Sequence, residues 1–336
     1  MTPNFSKIIL YNHHIKNIAN FFINNHLLYK SKIYHFFLNK KISQITKKYK
    51  NKPAVLRIEN TNICNARCYM CPHSSMKRPM GTMTREIYQK IVDEAVKLEI
   101  TTINLHNFGE PLVDKDLIWR IKYAKKVGIK NISTNTNGQL LTPKLSKEII
   151  NSKLDKIFFS IDAASPKTHQ KIRIGLDYKT VTKNINFLTK TKKQLKSSTP
   201  EIIVDFLKTD INKHEVSKFI NYWKNKVDNV CISQIHDWTN KKNNITKFNY
   251  QNFTQFSQTP CCLPFTEMVV NWNGDICLCC VDTEGEIILG NVKDESLQKI
   301  WTNQKYQQIR KKQLLLKTNN LPLCQNCKLR AFWWNY

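Results

Sequence analysis

Three cysteines fall within eight residues, Cys64-Asn-Ala-Arg-Cys68-Tyr-Met-Cys71. Thiolates are soft ligands, suited to zinc and to iron–sulfur clusters. Four of them close a tetrahedral zinc site or occupy every iron of a cubane. Three leave one cluster iron open to a small ligand. Gaps of three and two residues let a short loop curl round a single centre, and Pro72 is expected to end the turn before a helix can continue. The same spacing also reads as a zinc loop.

A second group lies near the other end. Seven cysteines occur between 261 and 327, whereas residues 72–230 carry none. They are arranged as Cys261-Cys262, Gly274-x4-Cys279-Cys280 with Cys277 between, and Cys324-x2-Cys327. A Cys-x2-Cys pair with two distant cysteines is also a zinc-knuckle spacing. Cys231 has no partner in sequence and reads as a buried strand residue.

Strands alternating with helices must position these residues. Strands are predicted at Ala54–Ile58, Thr101–Leu105, Ile129–Thr134, Lys156–Ile161, Ile202–Phe206 and Val230–Ser233. Helices are predicted from a Thr84 cap to Leu98, over Asp114–Val127 with Gly128 as its end, from Pro143, at 166–172 and 178–193, and over Asn212–Lys224. Six βα units imply a parallel sheet with right-handed crossovers, flat or curled. In such sheets chemistry gathers at the carboxyl ends of strands, where the first cysteine loop sits. Asn271–Asp275 reads as a hairpin turn between Glu267–Val270 and Ile276–Cys280.

Cys64, Cys68 and Cys71 resemble the cluster loop of the radical S-adenosylmethionine (SAM) enzymes. There the open iron chelates SAM, and the reduced cluster cleaves it to methionine and a 5′-deoxyadenosyl radical that abstracts hydrogen. The resemblance implies an α/β fold, a partial (β/α)6 barrel with a small C-terminal SPASM or twitch-like domain. It divides the chain into a basic helical extension (1–52), the barrel (53–235) and the auxiliary domain (236–336). His106-Asn-Phe-Gly109-Glu110-Pro111 is similar to the family's Gly-Gly-Glu-Pro segment, with Phe108 in place of the first glycine. It implies that Glu110 accepts from the SAM amino group. By the same resemblance Met70, Gly109, Asn135, Ser160, Asp162 and Arg173 line the SAM site, Arg173 pairing with the SAM carboxylate. Met70 stands where an aromatic is usual, and Tyr69 precedes it.

The later cysteines resemble an auxiliary [4Fe–4S] site. The set implied is Cys261, Cys279, Cys324 and Cys327, with Pro264-Phe265 placing Cys261 ahead of Cys262, and with Cys277 or Cys280 as alternatives to Cys279. One auxiliary cluster is implied, because no cysteine lies between Cys280 and Cys324. A shortened extension with one such cluster is similar to that of alcohol-oxidising members, where the cluster takes an electron. It implies a polyol, sugar or aminocyclitol substrate, SAM, and a flavodoxin- or ferredoxin-type electron donor. Modification of a peptide and non-catalytic metal or RNA binding are the other readings. No general base is named; His73, His106 and Asp237 lie near strand ends.

Composition narrows the setting. The net charge of +28 comes from lysines spread along the whole chain, which reads as surface usage rather than a nucleic-acid footprint. Clustered cysteines without a signal-peptide pattern imply metal binding in a reducing, cytoplasmic compartment. No apolar run approaches the ~18 residues of a membrane span. The basic, aromatic first 52 residues read as a packed helical extension or a weak membrane-surface contact.

Overall fold

The computed structural model describes residues 8–10, 32–234, 260–325 and 327. Ten strands form one sheet: β1 (Ile8–Leu10), β2 (Val55–Ile58), β3 (Thr102–Asn104), β4 (Asn131–Thr136), β5 (Lys156–Ser160), β6 (Glu201–Lys208), β7 (Asn229–Gln234), β8 (Glu267–Val270), β9 (Asp275–Cys277) and β10 (Ile288–Asn291). Their order is β1-β7-β6-β5-β4-β3-β2-β8-β9-β10. Neighbours from β1 to β8 pair in parallel, and β8, β9 and β10 continue antiparallel.

Helices begin where the sequence supplies caps. They are α1 (Lys32–Lys48), α2 (Arg85–Lys97), α3 (Leu117–Val127), α4 (Pro143–Asn151), α5 (Pro166–Ile172), α6 (Tyr178–Gln194), α7 (Val216–Trp223), α8 (Leu263–Thr266), α9 (Leu297–Trp301), α10 (Gln304–Leu314) and α11 (Pro322–Gln325). The hydroxyls of Thr84, Thr142 and Ser165, the carboxylate of Asp177 and the amide oxygen of Asn303 each accept an orphan N–H of the first turn. Gly128, at φ +111°, ends α3 in the left-handed region.

The two faces of the parallel sheet divide by chemistry. Leu56, Ile103, Ile132, Ile157, Phe159, Val204, Phe206 and Val230 are buried in one apolar core beneath the helices. The alternate positions Asn104, Ser133, Asn135, Ser160, Asp205 and Ser233 line a cavity of about 760 Å³ on the other face. One concavity touched by strands β2 to β7 means that the sheet curls round it, as a partial barrel does.

Three sequence expectations need correction. The N-terminal extension is not wholly helical, since Ile8–Leu10 pairs with β7. Pro72 opens a short 3₁₀ helix, Pro72–Ser75, instead of only ending a turn. The helix predicted from Asp114 starts at Leu117, because the Asp114 carboxylate is already engaged. It accepts from Arg120 Nε at 2.7 Å, Asn60 Nδ2 at 2.8 Å and the Asp116 N–H at 2.9 Å.

Candidate active site and auxiliary cysteine centre

The loop after β2 carries Cys64, Cys68 and Cys71, and all three line the cavity. Backbone hydrogen bonds fix its path: Arg67 N to Ile174 O (2.9 Å), Tyr69 N to Ile172 O (2.8 Å) and Cys71 N to Cys68 O (3.0 Å). Burial pushes the Cys64 thiol up to about 12, and Glu110, Cys68 and Cys71 add to the rise. The three sulfurs therefore stand within electrostatic range of one another. Met70 is buried and lines the cavity, while Tyr69 does not line it, so the residue before the third cysteine is the one that faces inward.

The loop after β3 abuts the cysteine loop. Glu110 N donates to Ile63 O at 2.9 Å. Gly109 sits at φ +91°, and a Cβ there would lie 2.5 Å from Thr61 O. Gly109→Ala is therefore expected to cost about 3 kcal/mol or more, combining left-handed strain with a backbone clash. At Gly128 a Cβ meets nothing within 4 Å, so Gly128→Ala is expected to cost about 1–2 kcal/mol from strain alone. Thermal melts of the two variants measure the difference.

Phe108 replaces a glycine without disrupting the loop. Its ring is buried under the Arg78 guanidinium, 5.9 Å away, and its N–H donates to Glu59 Oε2 at 3.3 Å. Arg78 holds Glu59 in turn, at 2.7 and 2.5 Å.

Glu110 is buried, and its carboxylate accepts from Leu112 N (3.0 Å), Thr136 Oγ1 (2.6 Å) and Asn137 N (2.7 Å). Burial raises its proton affinity, and these three donors oppose the rise. Two carboxylate oxygens offer about four acceptor positions, so one remains. Asn135 and Ser160 line the cavity from the ends of β4 and β5.

Arg173 also lines it, and its Nη1 lies 3.5 Å from Cys68 Sγ. Asp162 does not line the cavity. It is fully buried and accepts from Arg173 Nε at 2.7 Å and Nη2 at 2.5 Å, while its Oδ1 accepts from Leu207 N at 2.7 Å. Of the seven residues implied for SAM, Asp162 alone stands off the cavity, and it orients Arg173.

Among the later cysteines, Cys261, Cys279 and Cys324 share one buried core, with Cys327 and Cys280 packed against it. The thiol of Cys261 is raised by burial, then by Cys327 and Cys324. That of Cys279 is raised by burial, then by Cys280, Cys324 and Cys327. Gln313 Nε2 donates to Cys324 Sγ at 3.2 Å, and its Oε1 accepts from Cys261 N at 3.2 Å.

The other cysteines are placed differently. Cys262 packs with Leu38, Ile42 and Ile45 of α1. Cys277 Sγ faces Asn271 Oδ1 and Cys279 O, at 3.7 and 3.6 Å. Cys280 lines the main cavity beside Arg57. Among the described residues, no three His, Cys, Asp or Glu side chains converge on a single metal ion.

Comparison with known families matches residues 58–203 to the radical SAM superfamily and residues 261–328 to the SPASM iron–sulfur cluster-binding domain. The chain belongs to the radical SAM superfamily. It is an enzyme of that family, whose two domains bind a SAM-chelating [4Fe–4S] cluster and an auxiliary cluster, and whose members draw electrons from an external donor.

A relative from Pyrococcus furiosus, the tungsten-containing aldehyde ferredoxin oxidoreductase cofactor-modifying protein, is 26% identical across 82% of this chain and 87% of its own length. The structure of BtrN with AdoMet and 2-DOIA superposes with a TM-score of 0.58 and 20% identity, covering 82% of this chain and 92% of that one. Streptococcus suis SuiB bound to precursor peptide SuiA gives 0.66 and 15%, covering 84% and 72%. At these identities the two structures speak to the fold.

The donor sets suit the groups that radical SAM and SPASM domains carry. Three thiols open on one cavity with a spare acceptor on Glu110 beside them, and the Gln313 side chain joins the Cys324 sulfur to the Cys261 N–H in the core that also holds Cys279. No helix among the described residues is long and apolar enough to cross a membrane.

The radical SAM cavity also holds residues that sequence reasoning gave no role. Arg57 donates through Nε and Nη2 to both oxygens of Glu267, at 3.0 Å each, and through Nη1 to His106 Nε2 at 2.7 Å. Burial, then Arg57, lower the His106 proton affinity well below the usual range, so the ring is neutral. With Nε2 accepting from a guanidinium, Nδ1 carries the proton. That Nδ1 is buried and has no partner. His73 Nε2 instead lies 2.7 Å from Asn62 O, a local tie. Asp237 lies outside the described residues. Asp205, on β6, accepts from Ser233 Oγ at 3.2 Å. Burial, then Asp162, raise its carboxyl to about 6.

Proposed function

We propose that this radical SAM enzyme oxidises a carbinol carbon of a small polyol, sugar or aminocyclitol. The observation that supports this reading is the cavity wall, where the amides of Asn104 and Asn135, the hydroxyls of Ser133, Ser160 and Ser233 and the carboxylate of Asp205 stand at strand positions among apolar neighbours such as Phe158 and Leu207. Cys64, Cys68 and Cys71 are read as the cluster ligands, with Met70, Gly109, Glu110, Asn135, Ser160 and Arg173 around SAM. Asp162 positions Arg173. Cys261, Cys279, Cys324 and Cys327 are read as the auxiliary ligands.

When bound, these groups supply a carbon-centred radical that removes one hydrogen atom and a sink for one electron. The chain itself handles the remaining proton. Asp205, ionised at neutral pH, takes the substrate hydroxyl proton on its carboxylate. His106 Nδ1–H donates to a substrate oxygen and holds the carbinol toward SAM. Hydrogen atom, electron and proton together make up the two-electron conversion of alcohol to ketone.

Anaerobic reconstitution with SAM and reductant tests this, scoring 5′-deoxyadenosine with candidate aminocyclitols, sugars and peptides. Stimulation by peptides alone overturns the proposal. Asp205→Asn is expected to lower substrate oxidation at least 100-fold. In wild type the rate should climb with pH through about 6, as the carboxylate forms.

Stability should move the other way. A folded-state proton affinity above the unfolded value of about 4 means that this group weakens the fold as pH rises from about 4 to 6. Asp205→Asn removes that loss, so its Tm at pH 7.5 should exceed the wild-type value by about 2–6 °C. A lower Tm together with unchanged oxidation would remove Asp205 from the site.

A further inference from the structure

We propose that the groove between α1 and α10 is a binding site for a small phosphate-bearing anion, separate from the radical cavity. The groove encloses about 360 Å³. Its base is Arg310, which is only 7% exposed. Arg310 Nε donates to Pro264 O and Nη1 to Trp301 O, both at 2.8 Å, and its plane lies over the rings of Trp301 (4.1 Å) and Tyr306 (4.6 Å). The third nitrogen, Nη2, is buried without a hydrogen-bond partner. No carboxylate among the described residues pairs with this guanidinium.

A buried cation with neither counter-charge nor a full set of acceptors is costly. Arginine cannot relieve that cost by losing its proton. Burial draws its affinity down to about 10, which leaves it charged at neutral pH. The rim adds Lys50 and Lys311, with the Gln307 amide, and the lining includes no aspartate or glutamate. Three cations and an open N–H suit a tetrahedral oxyanion, which accepts from several donors at once. The Tyr49 and Phe265 rings extend the lining beyond the charged part, so there is room for a small organic group on the phosphate.

Occupancy would be felt at the auxiliary centre. Gln313 stands one turn after Arg310 on α10, and its side chain joins Cys261 N to Cys324 Sγ. Isothermal titration of the reconstituted holoenzyme tests the site, using inorganic phosphate, glycerol phosphate and, as control, chloride.

Saturable heat with phosphate or its ester is expected, and none with chloride. Lys50→Gln/Lys311→Gln alters two exposed side chains and should weaken binding at least ten-fold while both clusters remain intact. Arg310→Lys should abolish it. Tighter binding of the ester identifies an organic phosphate as the ligand, and equal binding identifies phosphate itself. Absence of saturable heat in wild type, or unchanged affinity in the double variant, overturns the proposal. Neither result touches the assignment of the radical cavity.

Discussion

Replacing Arg173 by methionine is expected to lower stability by about 3–5 kcal/mol, because it strands a buried carboxylate. Asp162 is fully buried, and Arg173 meets it through two nitrogens. The loss should not stay local. The backbone on either side of Arg173 anchors the cysteine loop, through Ile172 O and Ile174 O. The variant should therefore melt about 6–15 °C lower.

Asp162→Asn/Arg173→Met should recover at least half of the loss, since the amide carries no charge to leave unpaired. A double-mutant cycle reads the coupling directly. Full additivity would mean that the pair does not hold the loop. A second readout is electrochemical. A guanidinium 3.5 Å from Cys68 Sγ favours the more reduced state of whatever that sulfur ligates. The SAM-binding cluster of Arg173→Met should thus have a more negative reduction potential.

The second large effect concerns metal content. Cys279→Ala is expected to cut iron from about eight to about four per chain, the content of one cubane, while 5′-deoxyadenosine is still released. Cys277→Ala should keep about eight, because its sulfur is turned to Asn271 and to a backbone carbonyl. Cys262→Ala should keep them too, since that thiol packs on α1. Equal losses in Cys277→Ala and Cys279→Ala would displace the proposed ligand set. Iron assay and electron paramagnetic resonance of the reduced protein measure the outcome.

Much of this was legible in the chain, for physical reasons that differ from site to site. The strand at Thr102–Asn104 was visible because Ile103 and Leu105 must be buried. The cysteine loop was visible because thiols at such gaps have few other uses. Asp205 was not. It interrupts the apolar run Ile202-Ile-Val-Asp-Phe206, where the usual inference sends polar residues out to water. In this sheet helices cover the apolar face, and the polar face looks into the cavity.

The Arg57–Glu267 pair was also hidden, its partners being 210 residues apart. Nothing local announces such a contact. A charged residue alternating with Leu56 and Ile58 on the first strand was the available clue. Strand β1 escaped because three residues carry too little periodicity to be read.

β8 lies alongside β2 in parallel, with Val55 opposite Glu267 and Ile58 opposite Val270. The radical SAM and SPASM domains are thus woven into a single hydrogen-bonded fabric. Severing the chain between them would bare the flank of β2, an adhesive edge prone to aggregation. The SPASM domain therefore doubles as a splint, and any mutation that disorders it should also cripple chemistry at Cys64, Cys68 and Cys71.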